Sequence, residues 1–324
     1  LTNEQVFSLE ALPPRLAVLG GGPIGVELAQ AYARLGSRVT VLQRGPTLLP
    51  REDPEATRLL EEVFAAEGMA VVTGAEPIRV ERDGEGRLLH YRQDGGDHAL
   101  ECDAILVAVG RRPAVEGLNL EAAGVETERG AVRVDRRLRS SNPRIFACGD
   151  VAGPYQFTHM AEYQAGVVLA NAVFRVPKKV DYRVVPWVTY TDPEIGHVGL
   201  TEAEAAEQGV DVEVLRFPLK DLDRAIVEGE DKGFAKLLVK KGPRFRGGGR
   251  IVGATLMGSH AGELLHEVVL AMQAKVPIAT LSAAIHAYPT RAQVLRRTVN
   301  THFSAALFSN RTRRVVQWLN RLIP

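Results

Sequence analysis

Three glycines at fixed spacing, Gly20-x-Gly22-x-x-Gly25, are the residues whose type and position first suggest chemistry. They lie between a short apolar run (residues 15–19) and a run with helical apolar spacing (residues 23–35). Between a strand and a helix, the first glycine allows a tight turn, the second lets a phosphate approach the backbone, and the third lets helix and strand pack closely. The N–H groups at the helix start also attract anions. The pattern therefore predicts a pyrophosphate-binding turn.

The glycine turn belongs to a complete βαβ unit. Val39–Leu42 predicts a second strand, and Asp53 followed by Pro54 predicts a second helix that stops before Gly68, with Asp as N-cap and Pro in the first helical position. This context favours a dinucleotide-binding site over a plain glycine-rich turn. The residues assigned to the turn are Gly20, Gly22, Pro23, Ile24 and Gly25.

The residues that follow the second strand bear on the choice of coenzyme. An acid in this place holds the ribose 2′-OH of NAD, but here the strand is followed by Gln43 and Arg44, with Arg51 further along the loop. An amide does not repel a 2′-phosphate, and a guanidinium binds one through two hydrogen bonds. We therefore expect NADPH (cofactor NADP) to be preferred, with NAD as the alternative. The other interpretation is that both arginines are simply solvated, as surface arginines commonly are.

Composition limits the class of protein. The 324 residues include 40 Lys+Arg and 39 Asp+Glu, giving a formal net charge of +1, and 45% of the residues are hydrophobic. This is ordinary globular composition, and the length predicts two or three domains. The lack of a cationic excess argues against a dedicated nucleic-acid binder. The apolar stretch Ala104–Val109 is strand-sized, and no run approaches the roughly 18 residues that span a bilayer.

The two cysteines, Cys102 and Cys148, exclude a disulfide framework and a four-cysteine zinc site, and we expect no metal ligands. Each falls in a short apolar run, which predicts strands with buried thiols. A reducing, cytoplasmic setting fits this cysteine content. The chain starts at Leu1 without a secretory signal pattern, and it has the look of a fragment of a longer protein.

The rest of the chain predicts an α/β architecture followed by an α+β domain. Three short runs within residues 78–102, separated by turn residues, predict an antiparallel insert. Ala104–Val109 predicts a return to the parallel sheet as a fully buried strand. The following residues are rich in loops, with one strand at Ala131–Val134. The α+β domain is predicted from two strands and one amphipathic helix, at residues 233–241, 250–257 and 261–275.

Four segments, taken in order, resemble one family. They are Leu1–Glu27, Val107–Pro113, Ser141–Asp150 and Thr191–Leu200. Together they resemble the FAD-dependent pyridine nucleotide-disulfide oxidoreductases, which include glutathione reductase, dihydrolipoamide dehydrogenase and mercuric reductase. The loop that ends at Pro54 looks most like the mercuric reductase branch. The domains implied are a Rossmann-like NAD(P)-binding domain (1–112), the remaining C-terminal part of an FAD domain (113–180), a dimerisation domain (181–306) and a basic amphipathic tail (307–324).

The resemblance implies roles for residues in the FAD segment. Asp150, after Gly149, matches the aspartate that holds the ribityl chain of FAD. Thr158, His159 and Ala161 match the start of a helix whose N-terminus faces the flavin pyrimidine ring, where its positive end stabilises the reduced flavin. His159 is expected to contribute mainly its backbone rather than a catalytic imidazole.

The resemblance also implies roles near the reacting groups. Gly110 matches a residue that holds NADPH, and Glu27 matches a glutamate near the nicotinamide, with an ordinary surface helix residue as an equal alternative. Tyr288 matches a position that approaches the partner's active site in the homodimer. Glu27 and Tyr288 are therefore the candidate catalytic residues.

The chain departs from the family pattern in two places. The family's N-terminal flavin half-domain and its redox-active cysteine pair are absent from these residues. Disulfide-reducing members also have His and Glu where this chain has Tyr288 and Gln293, and a phenol is a poor base at neutral pH. Mercuric reductases resemble the chain in this tyrosine but end in a vicinal cysteine pair, which this tail lacks. His286 is a weak candidate for the missing base. It lies two residues before Tyr288, so we expect its side chain to point away from that position.

The C-terminal tail combines seven arginines after residue 290 with apolar residues, and it contains no acid. The apolar residues are Val315, Val316, Trp318, Leu319, Leu322 and Ile323. Such a helix either lies on an anionic membrane surface or packs on the dimer partner. We favour the dimer partner over peripheral membrane contact.

Three functions remain open at this point. The first is an FAD enzyme resembling mercuric reductase, which moves hydride from NADPH to flavin and then electrons to a small dithiol, a disulfide or a thiol-bound metal ion. Full-length activity of the dihydrolipoamide dehydrogenase or glutathione reductase type is a variant of it. The second is a non-catalytic nucleotide-binding and dimerisation module. The third, a flavin-free NADPH dehydrogenase, is argued against by the Gly149-Asp150 segment.

Overall fold

The computed structural model describes residues 1–84, 86–242 and 248–322. The chain forms two compact units, one made of Leu1–Val109 and the residues from Pro186 onward, the other of Gly110–Val185. The first unit contains the predicted dinucleotide-binding and dimerisation segments, and the second contains the predicted flavin segment.

The N-terminal half of the first unit opens with a 3-10 turn at Val6–Ser8 and continues with two helices and seven strands. These are β1 (Arg15–Leu19), α1 (Pro23–Leu35), β2 (Arg38–Gln43), α2 (Pro54–Ala66), β3 (Ala70–Thr73), β4 (Glu76–Asp83), β5 (Gly86–Gln93), β6 (Gly96–Cys102) and β7 (Ala104–Val107). A parallel sheet has the strand order β3-β2-β1-β7, and β4-β5-β6 form an antiparallel sheet. The predicted βαβ unit and antiparallel insert are confirmed.

The sequence signals for the helix ends act as expected. Gly36 follows α1 with φ 114°, a left-handed conformation that glycine adopts without a Cβ penalty, and its N–H bonds back to Ala33 O. Asp53 caps α2 by accepting a hydrogen bond from the Glu55 N–H at 2.9 Å, and Pro54 occupies the first helical position. These caps fix where α1 ends and where α2 begins.

The parallel sheet is covered on both faces, which explains its nearly continuous apolar strands. Leu16 and Val18 of β1 join the core formed with α1 and α2. Ala17 belongs to a second core, which includes Leu89 of β5 and Cys102 of β6. Because successive residues of a strand point to opposite faces, β1 needs apolar residues at both parities.

Three expectations from the sequence were wrong in detail. The segment predicted as a fully buried strand over Ala104–Val109 ends at Val107, lies at the edge of the parallel sheet and leaves Val107 45% exposed. The strand predicted at Ala131–Val134 spans only Ala131–Val132. Cys148 is only partly buried and precedes a 3-10 turn instead of lying in a strand. Local apolar runs could not distinguish a sheet edge or an irregular segment from a central strand.

The C-terminal half of the first unit is an antiparallel sheet with helices. Its elements are β10 (Pro186–Thr189), β11 (Glu194–Gly199), α4 (Glu202–Glu207), β12 (Val212–Pro218), α5 (Asp223–Glu228), β13 (Phe234–Lys241), β14 (Gly249–Gly258), α6 (Ala261–Gln273), α7 (Ile278–Ala283), α8 (Gln293–Leu307) and α9 (Asn310–Leu322), with a 3-10 turn at Leu219–Asp221. The strand order is β10-β11-β14-β13-β12. Helix α6 packs against β11 and β14, and α8 packs against β12 and β13. The predicted α+β domain is confirmed.

A buried ion cluster joins the two halves of the first unit. Lys236 of β13 is 7% exposed, and its ammonium donates to Asp53, the N-cap of α2, and also contacts Glu55 and Glu202. Burial alone would lower the pKa of Lys236, but the carboxylates around it raise that pKa above its ordinary value. Arg216 of β12 also donates to Glu55, at 2.7 Å. The C-terminal sheet therefore holds the start of the second crossover helix.

The second unit is small and built around one helix. Its elements are β8 (Thr127–Glu128), β9 (Ala131–Val132), a 3-10 turn at Gly149–Val151 and α3 (Thr158–Ala172). Leu138, Val167 and Val180 form its buried core, against which Cys148 and Tyr182 pack.

We predict that Lys236→Ala lowers the free energy of unfolding by about 3–5 kcal/mol, because it leaves Asp53 buried without its cation. The matched control is Lys241→Ala on the same strand, whose pair with Asp211 is exposed and should contribute far less to stability. Urea denaturation of both variants measures the difference. Equal losses would contradict a structural role for the buried cluster.

Candidate functional site

The glycine turn brings α1 very close to the end of β1. An ideal Cβ on Gly25 would lie 1.9 Å from the carbonyl oxygen of Gly20, and one on Gly20 would lie 2.4 Å from Ala108 O. Gly22 differs, because its ideal Cβ position has no neighbour within 4 Å. Packing therefore requires glycine at positions 20 and 25. Gly22 instead leaves open space in front of the helix, where a ligand can approach the protein backbone.

Helix α1 begins directly at this open space. Its N-cap is Gly22, its first residue is Pro23, and no side chain caps the first turn. The N–H groups of Ile24 and Gly25 belong to that turn, where the helix dipole favours an anion. The arrangement has the chemistry of a pyrophosphate cradle, and the assignment of these residues to coenzyme binding stays a prediction.

The residue between the glycines is held by the β2–α2 loop (residues 44–53) and by the strand before it. The Gly21 N–H donates to Gln43 Oε1 at 2.9 Å, and the Leu49 N–H donates to Gly21 O at 2.8 Å. An ideal Cβ on Gly21 would lie 2.5 Å from the Leu48 side chain. The loop thus fixes both backbone polar groups of Gly21, so its position and that of the cradle are coupled.

The expected coenzyme-selecting side chains are in different environments. Gln43 turns its amide oxygen to the glycine turn, a role that the sequence did not suggest. Arg44 is 82% exposed and lies 3.4 Å from Glu76. Arg51 stacks on the Trp187 indole, with its guanidinium carbon 5.1 Å from the ring centroid. Of the two arginines, Arg44 is the better placed to meet a ligand in solution.

Glu27 faces the first strand of the C-terminal half. Its Oε1 accepts the Tyr190 N–H at 2.8 Å. Burial raises the pKa of Glu27, and the Tyr190 hydrogen bond partly opposes that rise. Glu27 is thus a half-buried carboxyl with a defined orientation rather than an ordinary surface residue of the helix, while its role near a nicotinamide stays a prediction.

A second carboxyl meets the same strand and was not singled out by the sequence. Glu52 is 8% exposed, and its Oε1 accepts the Trp187 Nε1–H at 2.6 Å, while its Oε2 is buried without a hydrogen-bond partner. Burial raises the pKa of Glu52 to about 7, with the Trp187 bond and Arg51 opposing the rise and Asp53 adding to it. A buried acid before a helix cap has no periodic signature in a sequence.

Trp187 also packs on a buried histidine. The Trp187 and His197 rings lie 4.5 Å apart, and His197 is fully buried. Its Nε2 is 3.1 Å from Gly199 O and its Nδ1 is 3.1 Å from Thr255 Oγ, so Nε2 carries the proton in the neutral ring. Burial lowers the pKa of His197, with the Gly199 bond opposing it. Trp187 therefore contacts both a neutral imidazole and the Arg51 guanidinium.

In the second unit, Gln164 fixes the predicted flavin aspartate. Its side chain is fully buried, accepts the Gly149 N–H at 2.7 Å and donates to Tyr182 Oη at 2.9 Å. Gly149 has φ 77°, and its ideal Cβ would lie 3.2 Å from the Ala161 Cβ. Asp150 follows this turn, half-exposed. The sequence pointed to Gly149, Asp150 and Ala161 but gave no sign of Gln164.

Other predicted cofactor-binding residues of the second unit have the following surroundings. The Asp150 carboxylate lies 3.5 Å from the Arg111 guanidinium, which also donates to Gln156 O. Helix α3 begins at Thr158, its N-cap Phe157 makes no side-chain capping bond, and the His159 ring stacks on Phe157. Gly110, at the start of the unit, has φ 126° and open space at its Cβ position. The roles of all these residues in cofactor binding stay predictions.

The segment that departs from the family pattern is split between surface and core. Tyr288 is 68% exposed, whereas Gln293 at the start of α8 is buried. The His286 side chain is 8% exposed, with Nε2 3.2 Å from a Glu267 oxygen and Nδ1 3.2 Å from Ala284 O. Both ring nitrogens of His286 therefore face acceptors within the chain, which agrees with the expectation that it points elsewhere.

The tail forms helix α9, whose apolar side chains remain exposed. Val315, Val316, Trp318 and Leu319 are 40–59% exposed. The Leu322 side chain and Ile323 lie outside the described residues. No helix within the described part of the chain is both long and apolar enough to cross a bilayer. Among the same residues, no cluster of three or more His, Cys, Asp or Glu side chains has the arrangement of a metal site.

Comparison with known proteins identifies the family. Residues 1–165 match the pyridine nucleotide-disulphide oxidoreductase model, and residues 185–299 match the dimerisation domain of the same family. The chain belongs to the pyridine nucleotide-disulphide oxidoreductase family. This confirms the resemblance stated from the motifs, and members of the family use FAD and NAD(P)H.

Individual relatives carry two kinds of names. The chain is 37% identical to a mercuric reductase of Staphylococcus aureus over 91% of its own length and 53% of the relative's. It is 39% identical to a dihydrolipoyl dehydrogenase of Thermus scotoductus over 88% of its own length and 61% of the relative's. Across four mercuric reductases, the chain spans 47–63% of the relative.

A solved structure supports the same fold. The HOCl-induced flavoprotein disulfide reductase RclA of Escherichia coli is 31% identical and superposes with a TM-score of 0.84, over 93% of this chain and 67% of that one. The α/β and α+β architecture is therefore the one that this family shares.

We predict unequal losses of stability for two glycine substitutions in the turn. Gly25→Ala places a methyl group against the Gly20 carbonyl and should lower the free energy of unfolding by about 1–3 kcal/mol. Gly22→Ala has open space and an extended backbone, so its loss should stay below about 1 kcal/mol. Thermal and urea unfolding compare the two, and equal losses would show that the close approach of α1 to β1 is not a constraint.

Proposed function

We propose that this chain is the pyridine nucleotide-binding and dimerisation part of an FAD-dependent oxidoreductase that takes electrons from NADPH. When FAD is bound, it supplies hydride acceptance and onward electron transfer. The electron acceptor is a small dithiol, a disulfide or a thiol-bound metal ion, in keeping with the two names carried by the relatives. The domain bounds proposed are 1–112, 113–180, 181–306 and 307–324, and the setting proposed is cytoplasmic.

The observation that carries the proposal is the glycine turn between β1 and α1. Gly20 and Gly25 let the helix start approach the strand end, and Gly22 leaves open space before an uncapped helix N-terminus. This is a cradle for a pyrophosphate. Glu27, one turn into α1, is oriented by the Tyr190 N–H, which supports its assignment next to the nicotinamide.

Chain residues of the second unit support the flavin part. Asp150 would accept hydrogen bonds from polyol hydroxyls, with Gln164 and Gly149 fixing its turn and the Arg111 guanidinium 3.5 Å from its carboxylate. The first turn of α3 would offer backbone N–H groups to a developing negative charge.

The proposed homodimer is supported by exposed apolar residues in the C-terminal half. Leu270, Ile285 and Tyr288 are 68%, 96% and 68% exposed. Side chains of this kind are costly to leave in water and are typical of interface cores. We propose that Tyr288 approaches the partner's active site and that α9 docks on the partner.

The decisive experiment measures coenzyme and flavin binding separately. Isothermal titration calorimetry of the chain with NADPH should give binding, and the protein expressed with any residues encoded upstream of Leu1 should show the visible absorbance of bound flavin. Coenzyme binding without flavin in that longer protein would favour the non-catalytic module. No heat with either NADPH or NADH would refute the proposal.

We predict that NADPH binds more tightly than NADH and that Arg44→Ala weakens NADPH binding about tenfold, ~1.4 kcal/mol, by removing a charged hydrogen-bond donor for the 2′-phosphate. NADH binding should be unaffected by the substitution. Arg58→Ala, which removes an exposed arginine paired with Glu62 on α2, is the matched control. An NADH preference of tenfold or more would contradict the expected selectivity.

We predict that deleting the residues after Ser309 shifts the monomer–dimer equilibrium toward monomer, because the deletion removes the apolar contacts that α9 makes with the partner. Sedimentation equilibrium over a concentration series measures the shift. A dimer of unchanged strength, together with pelleting of the intact chain by anionic vesicles but not by zwitterionic ones, would assign the tail to a membrane surface instead.

A further inference from the structure

Glu52 is a buried acid that nothing in the proposed reaction uses. It is the residue before the N-cap of α2, at the end of the β2–α2 loop, and one of its carboxyl oxygens has no partner. Among the described residues, the only other buried side-chain atom of this kind is the Thr189 hydroxyl, which lies on β10 two residues from Trp187. An unpartnered carboxyl oxygen in a core costs stability, so its occurrence calls for a functional explanation.

The β2–α2 loop contacts both the glycine turn and Trp187. Gln43, just before the loop, and Leu49 within it bind both backbone polar groups of Gly21. Three residues after Leu49, Glu52 is bound to Trp187, and Arg51 stacks on the same indole. Trp187 is also held by His197, whose ring centroid lies 4.5 Å from that of the indole. A shift of the loop at Glu52 is therefore transmitted to the backbone of the turn.

The two ionisation states of Glu52 fit this position unequally. The neutral acid accepts the indole N–H through Oε1 and buries a hydroxyl at Oε2. The ionised form buries a full charge with a single donor, which is far more costly than burying a neutral polar group. Ionisation therefore favours any arrangement of the loop that exposes Oε2 to water.

The charged groups around Glu52 do not remove this preference. On its own loop, Arg51 favours ionisation and Asp53 opposes it. On β13, Lys236 is already committed to Asp53, Glu55 and Glu202. On β11, His197 is buried and its ring nitrogens are both hydrogen-bonded.

We propose that Glu52 is a positioning residue for the glycine turn, and that ionisation of its carboxyl loosens the Trp187 contact and weakens coenzyme binding. This inference rests on the proposed function, because it requires the turn to hold a pyridine nucleotide. It adds to the proposed function a residue outside the glycine motif and a pH dependence of coenzyme binding.

The first test needs no coenzyme. The chain has two tryptophans, so Trp318→Phe leaves Trp187 as the only indole. Its fluorescence should change with a midpoint near pH 7, because burial raises the pKa of Glu52 to about 7. Adding Glu52→Gln should abolish this transition and leave any change at lower pH, where His197 charges. If the Trp187 fluorescence of the Trp318→Phe variant, which retains Glu52, does not change between pH 5 and pH 9, the inference is overturned.

The second test measures coenzyme affinity against pH by calorimetry. Between about pH 6 and pH 8.5 the chain should lose on the order of tenfold in affinity, which corresponds to one unit of difference between the pKa of Glu52 with and without coenzyme. Glu52→Gln should make the affinity independent of pH over this range. NADH is measured alongside NADPH, because the 2′-phosphate of NADPH also titrates near this range and NADH lacks it.

The matched control is Glu61→Gln. Glu61 accepts the Leu48 N–H of the same loop at 3.4 Å but is not enclosed like Glu52. In this variant, coenzyme affinity should depend on pH as it does in the unsubstituted chain. If the carboxylates that contact the loop had only a structural role, Glu52→Gln and Glu61→Gln would have similar effects. If the unsubstituted chain binds neither coenzyme, the proposed function fails. If it binds and Glu52→Gln shows the same pH profile, only the role of Glu52 fails.

Discussion

The close approach of α1 to β1 at the glycine turn is the constraint on which the rest of the first unit depends. With the Gly25 backbone against the Gly20 carbonyl, there is no room for any side chain at either position. This contact fixes where the helix N-terminus points, and the two hydrogen bonds to Gly21 then fix the loop that follows β2. The direction of the dipole at the helix start is thus set by packing before any ligand is considered.

The parts of the fold that follow from local chemistry could be predicted from the sequence. Gly36 and Asp53 end and begin helices through bonds that each residue makes with its own neighbours, so their type alone is informative. The same holds for β1, whose apolar residues at both parities require cover on both faces. β7 was misread because an apolar run has the same appearance at the edge of a sheet as in its centre, and strand order is a property of the whole sheet.

In the candidate site, too, the residues of local motifs could be predicted, whereas residues that act over long sequence distances could not. The glycines, Asp150 and the start of α3 could be found because their motifs are local and ordered along the chain. Gln164 and Trp187 could not, because each acts on a residue that is distant in sequence: Gln164 bonds to Gly149, and Trp187 bonds to Glu52, 135 residues away. A single sequence contains no information about such pairs unless periodicity or charge pattern marks them, and neither does here.

One strand links the chemistry of the N-terminal half to the C-terminal sheet. β10 and the residue after it provide the indole N–H for Glu52 and the backbone N–H for Glu27, so both carboxyls of the N-terminal half are oriented by the same segment. Glu27 is ordinary in this respect, since its burial is partial and its partner is a backbone group. Glu52 is not, because a side chain without charge would fill the same space at less cost. A sequence that breaks a local rule in this way is expected to do so at functional sites.

The cost of burying Glu52 rises as the pH passes from the ordinary carboxyl range up to about 7, because the unfolded chain ionises there while the folded chain does not. The same carboxyl that makes the first unit less stable at neutral pH is therefore the one group in this contact whose charge changes within the physiological range, next to the loop that holds the glycine turn.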